Sequence, residues 1–352
     1  MTRKIGIPAF AAATLLLAAC GADAPRPEAE GDDPTGGVVN VYSHRHYESD
    51  QELFRRFTEA TGIQVKVVSA SADELITRLE AEGAASPADV LITVDAGRLH
   101  RAKERGLLQP VESEVLSANV PAHLRDPEGY WFGLTQRARV IVYAKDRVNP
   151  DELKSYRDLA DARWKGRLLA RSSDNVYNQS LLASIIANEG EAAAREWAAG
   201  VVRNMARPPS GSDTDQAKAV AAGVGDVTFV NTYYVARLMA SSDPEERRVG
   251  EQLGVIFPEQ DGRGTHVNVS GAGVTAHAPN RANAIKLLEY LSSDEAQSVF
   301  AQANHEYPVK PGADWSPVLR GWGQFKADTL NLAVLGELNA AAVRLFDEVG
   351  WR

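Results

Sequence analysis

Short apolar runs alternate along the chain with longer stretches whose apolar residues recur at helical spacing. Val38–Ser43 predicts a strand, Asp50–Thr61 a helix closed by Gly62, and Ile63–Ser69 a second strand with alternating apolar residues. Ser71 and Glu74 stand at the capping-box spacing and predict a helix that Gly83 ends. Ala88–Thr93 reads as a buried strand and Ala96–Arg105 as a helix stopped by Gly106, with Asp95 as its cap. This βαβαβα order predicts a mainly parallel sheet covered by helices.

A second series begins at Val140–Tyr143, after a polar segment, Thr135–Arg139. Pro150 at a first helical position predicts a helix to Leu159. Arg167–Ala170 reads as a short strand, Gln179–Ala187, Glu191–Met205 and Thr214–Ala222 as helices, and Asp226–Val230 as a strand. Leu253–Phe257 and Val267–Ala276 are strand-like, with Gly271 and Gly273 marking tight backbone. Helical spacing then dominates at Arg281–Leu291, Asp294–Ala303 and Leu335–Val349. Two such series in one chain predict an α/β fold of two lobes with a cleft between them.

The N-terminus changes the picture. Met1-Thr-Arg-Lys4 precedes an apolar run that ends Leu17-Ala-Ala-Cys20, which reads as a secretory signal over residues 1–19 with a lipoprotein-type cut at Cys20. The apolar run is too short for a membrane span, which needs about 20 residues. Cys20 is the single cysteine of 352 residues, so no internal disulfide can form. Residues 20–37, rich in Ala, Pro, Asp, Glu and Gly, read as a flexible tether. The expectation is an extracytoplasmic protein, periplasmic or at the cell surface, lipid-anchored to the membrane and monomeric. The formal net charge is −9, and loss of Arg3 and Lys4 with the signal makes it −11. With no basic run, nucleic acid is excluded as a partner.

In open α/β sheets, ligands bind beyond the carboxyl ends of the strands. Three places obey that rule: His46–Tyr47 after the first strand, Tyr177 after Arg167–Ala170, and Tyr233–Tyr234 after Asp226–Val230. The adjacent tyrosines are expected at a strand end where a turn begins, so that both phenols converge. Taken singly, each tyrosine is as well read as a packed aromatic residue. Together, phenolate oxygens are hard anionic donors that suit a hard trivalent cation such as ferric iron. Four phenolates on such an ion leave a net charge of about −1, and a buried excess of charge needs a cationic neighbour. Arg137, Arg139 and Arg45 are the candidates, each equally readable as a solvated or lobe-bridging arginine.

Several segments resemble the ferric-iron-binding proteins of bacterial ABC transporters. They include Tyr42-Ser-His-Arg-His-Tyr47, Ala88–Gly97, Gly133–Tyr143, Ser172–Ser180, Val230-Asn-Thr-Tyr-Tyr234, His266–Val274 and Ala284–Ser293. The resemblance runs from Val38 to nearly the C-terminus. It implies a type II periplasmic-binding-protein fold, with residues 38–136 and 265–314 in the N-lobe and 137–264 and 315–352 in the C-lobe. Within the family, the FutA-like members match this sequence at His46, Tyr47, Tyr177, Tyr233 and Tyr234 as metal ligands. The histidine is either a direct ligand or stands behind the ligands. The cargo implied is Fe(3+), with Fe(2+) left open, and with no organic cofactor and no obligatory anion. Permease and ATPase subunits of an ABC importer are the implied partners.

Other functions fit less well. The seven histidines are scattered, and neither Gly-x-Ser-x-Gly nor His-Glu-x-x-His is present, so a hydrolase lacks its motifs and the chain is not read as an enzyme. The alternative is a substrate-binding lipoprotein for another small solute, a polyamine, a sulfonate or a sugar phosphate. A structural or adhesive lipoprotein does not account for the two-lobe pattern.

Overall fold

The described residues of the computed structural model contain nine strands: β1 Val38–Ser43, β2 Gln64–Ser69, β3 Val90–Thr93, β4 Phe132–Ala144, β5 Leu168–Leu169, β6 Val227–Asn231, β7 Leu253–Ile256, β8 Val267–Val274 and β9 Tyr307–Pro308. Those residues are 1–2, 36–45 and 47–352, so the signal, most of the tether, Cys20 and His46 lie outside them. The strand order is β2-β1-β3-β8-β4-β6-β5, with β7 and β9 also pairing to β4.

The sheet is mixed rather than mainly parallel. β1 runs parallel to β2 and β3, and β5 parallel to β6. β8 and every partner of β4 are antiparallel. The reason is β4, a single long strand of which the hydrophobic pattern marks only Val140–Tyr143. Its supposed polar segment is strand interior: Thr135, Arg137 and Arg139 are buried, each held by polar groups from elsewhere in the chain. Up to Ala138 the strand pairs with β8, and from Arg139 onward with β6.

Local signals otherwise act as expected. Ser71 and Glu74 close their capping box, and Asp95 accepts from the backbone N of Arg98 at the start of the helix Ala96–Glu104. Each such cap is worth about 1 kcal/mol. The predicted Pro150 helix is instead two short 3-10 turns, Pro150–Glu152 and Tyr156–Ala160. The C-terminal helix is likewise divided, into Ala333–Glu337 and Asn339–Val349. Gly271 and Gly273 lie where β8 passes the backbone oxygens of Phe132 and Tyr130, where a Cβ would be 2.7 Å and 2.5 Å away. Among the described residues no helix is long and apolar enough to cross a membrane.

Candidate metal centre

Three helix N-termini present the four tyrosines. Tyr47 is the cap residue before the helix Glu48–Thr61. Tyr177 is the second residue of the helix Val176–Glu189, its backbone N donating to the Oδ1 of the cap residue Asn175 at 3.1 Å. Tyr233 and Tyr234 open the helix Thr232–Ala240, which follows β6 with only Asn231 as cap. That helix replaces the expected turn. Adjacent residues in a helix diverge by their spacing, yet these two rings stay together, centroids 4.2 Å apart and planes tilted by 35°.

The phenols share one field. Tyr233 donates a hydrogen bond to the Tyr177 phenol oxygen at 3.2 Å. Tyr47 interacts electrostatically with Tyr177, Tyr233 and Tyr234, and Tyr234 with Tyr177 and Tyr233. Tyr233 is fully buried and Tyr177 nearly so. Burial is the main reason that all four hold their protons above the ordinary phenol range. Second to burial come Glu306 for Tyr47, Tyr234 for Tyr177, Tyr177 for Tyr233 and Asp213 for Tyr234. A multiply charged cation reverses that balance, because it is attracted to the ionised form at close range.

The three candidate arginines divide by how they are occupied. Arg45 is fully committed: it pairs with Asp50 and Glu306, donates to Ser270 at 2.7 Å, and lies 4.8 Å from the Tyr47 ring centre. Arg139 pairs with Asp213 and donates to Asn178 Oδ1 at 2.8 Å. Arg137 differs. Its Nη2 donates to the Val94 carbonyl and to Ser270, while its buried Nε and Nη1, against Nε alone in Arg139, find no partner among the described residues. Burial works against its charge, but Glu306, then Tyr177, Tyr233 and Tyr47, outweigh that and raise its pKa. The guanidinium thus keeps free donors while lying in the field of three phenols.

Sequence reasoning missed two cations. Arg237, one helical turn after Tyr233, lies 4.7 Å from the Tyr47 ring centre and 5.2 Å from that of Tyr233. Arg171 pairs with Asp213 and lies 5.9 Å from the Tyr177 ring centre. The spacing of Tyr233 and Arg237 signals a shared face once that segment is read as a helix. Among the described residues, no group of three or more His, Cys, Asp or Glu gathers as a metal site.

Comparison with known proteins identifies the lineage. Residues 85–320 match the bacterial extracellular solute-binding proteins. The chain belongs to that family. It is 50% identical over 339 residues to iron uptake protein A1 of Synechocystis sp., spanning 96% of this chain and 93% of that one. Iron uptake protein A2 of the same organism is 50% identical over 355 residues, the full length of both. Among solved structures, FutA (IdiA) of Trichodesmium in complex with iron and citrate superposes with a TM-score of 0.87 at 54% identity, covering 90% of this chain and 100% of that one. The ferric binding protein of Campylobacter jejuni gives 0.85 at 44% identity, covering 89% and 100%. As a solute-binding protein of this kind, the chain has the two-lobed type II periplasmic-binding-protein fold.

Proposed function

We propose that this protein captures ferric iron outside the cytoplasm and delivers it to the permease and ATPase subunits of an ABC importer. It acts as a carrier, not an enzyme. The phenolates of Tyr47, Tyr177, Tyr233 and Tyr234 hold the ion, and Arg137 balances the negative excess. The observation that carries the reading is the mutual approach of four phenols, three of them in the field of an arginine with two buried nitrogens that find no partner among the described residues. Relatives named for iron uptake and ferric iron binding support it. The proposed lobes are residues 38–136 with 265–314 and residues 137–264 with 315–352; the change of β4's partner from β8 to β6 after Ala138 supports the first division.

His46 lies outside the described residues and is proposed as the fifth donor on sequence grounds alone. Cys20 is proposed as the lipid-modified N-terminus of the mature protein, by its place after Leu17-Ala-Ala. Replacing Cys20 with Ser is expected to release the protein from membranes on fractionation, and retention would refute the anchor. The visible spectrum tests the site: ferric protein is coloured by phenolate-to-iron charge transfer and the apo form is colourless. A protein that takes up a polyamine, sulfonate or sugar phosphate and no ferric iron would establish the alternative.

A further inference from the structure

One carboxylate ties together the elements that carry Tyr177 and the Tyr233–Tyr234 pair. Asp213, fully buried, pairs with Arg139 and accepts from the backbone N of Asn231 at 3.0 Å through its Oδ2. Its Oδ1 accepts from Arg171 at 3.3 Å. Asn231 is the residue on which the helix bearing Tyr233 and Tyr234 begins. From the other side, Arg139 Nη2 donates to Asn178 Oδ1, and Asn178 Nδ2 donates to the carbonyls of Arg171 and Ser172, each at 3.1 Å. Asn178 directly follows Tyr177.

The result is a closed circuit: Asp213, Arg139, Asn178, the Arg171 backbone, the Arg171 guanidinium and Asp213 again. It joins the first turn of one tyrosine helix to the cap of the other. Both guanidiniums of the circuit stand 5.9 Å from the Tyr177 ring centre, so the ring is flanked as well as spaced. Every residue of the circuit is bonded to the next, although Arg139 Nε, Arg171 Nε and Asn231 Nδ2 find no partner among the described residues. Buried polar connections of this kind restrict geometry, and ligand orientation depends on such supports.

We propose that Asp213 is a positioning residue that sets the separation between Tyr177 and the Tyr233–Tyr234 pair, so that three phenol oxygens are spaced for the metal before it arrives. This rests on the tyrosine site proposed above. Asp213 touches no metal on this account and acts through Arg139, Arg171 and Asn231.

The test uses the full chain with Asp213→Asn and, separately, Asn178→Ala, which cuts the same circuit without removing a charge. Ferric affinity is measured by competition with nitrilotriacetate, and the charge-transfer band and apo melting temperature are recorded alongside. Both variants are expected to lose about tenfold to a hundredfold in ferric affinity and to show a displaced charge-transfer band. Tyr177→Phe should cost less in either background than in the wild type, the signature of coupled residues. If Asp213→Asn does not fold, Asn178→Ala alone decides by the same readouts. Lowered melting temperatures with affinity and band unchanged would leave the circuit purely structural and overturn the positioning role. A wild type that binds ferric iron without tyrosinate colour overturns the tyrosine site itself, and this proposal with it.

Discussion

The Tyr233 phenol donates to the Tyr177 phenol at 3.2 Å, although the two residues lie 56 positions apart in the chain. A phenol that donates to a second phenol, with no carboxylate or carbonyl acceptor, is a weakly satisfied group in a buried place. Neither oxygen is needed to hold the fold. Tyr233→Phe and Tyr177→Phe are therefore expected to keep the apo melting temperature within a few degrees, since a net hydrogen bond is worth about 1 kcal/mol. Ferric affinity should fall at least about a hundredfold in each, because solvent poorly replaces a charged donor in a buried site. Titration with ferric nitrilotriacetate checks this. Wild-type affinity in both variants would show that the rings only pack.

Arg137 carries a prediction that separates binding from stability. Glu306 and three tyrosines favour its charge despite burial, and its Nη2 holds the Val94 carbonyl and Ser270. Arg137→Met removes those bonds, while Glu306 keeps its pairing with Arg45. The iron-free variant should melt modestly below wild type, by the loss of about one or two hydrogen bonds, and ferric affinity should drop about tenfold to a hundredfold. A destabilised apo variant with intact affinity would assign Arg137 to the scaffold.

How much of this was legible in the sequence depended on what each residue satisfies. The rule that ligands gather beyond strand ends placed Tyr47, Tyr177 and Tyr233–Tyr234 together, and the structure brings those phenols into one field. The cap signals at Ser71 and Asp95 act within a turn or two, so local reading found them. β4 was illegible as one strand because Thr135, Arg137 and Arg139 find their partners in distant segments such as Glu306, Ser270 and Asp213. The same long-range pairing hid Asp213 and Arg171. The helix Thr232–Ala240 was missed because two aromatic residues directly after a strand resemble a strand end, and Arg237 was missed with it.

His266 supplies a pH dependence apart from the metal centre. It is buried, and that burial, with Arg139 and Arg263 nearby, lowers its pKa from 6.5 to about 3. The folded protein thus keeps the ring neutral while the unfolded chain takes up a proton below its ordinary value. Stability from this group is complete above about pH 6.5 and is lost as pH falls toward 3, by at most about 1.4 kcal/mol per pH unit. His266→Gln should flatten that part of the apo stability curve relative to wild type. Denaturant midpoints at several pH values test it, and parallel curves for the two proteins would refute it.

Proton release counts the phenolates directly. All four tyrosines hold their protons above the ordinary phenol range, chiefly through burial, so without a cation each is a neutral phenol at neutral pH. An ion bound by all four must expel their protons, on the order of four for each ferric ion. Because the phenols titrate well above neutrality, this number should stay constant between about pH 6 and about pH 8, while log affinity falls in proportion as the pH is lowered. Indicator-dye titration in weakly buffered solution measures the release, with ferric nitrilotriacetate alone as the blank. Calorimetry in buffers of different ionisation enthalpy gives the same number independently. Each Tyr→Phe variant should then release about one proton fewer, which links the count to named residues. Release of less than one proton, with affinity indifferent to pH, would mean that iron sits on other donors.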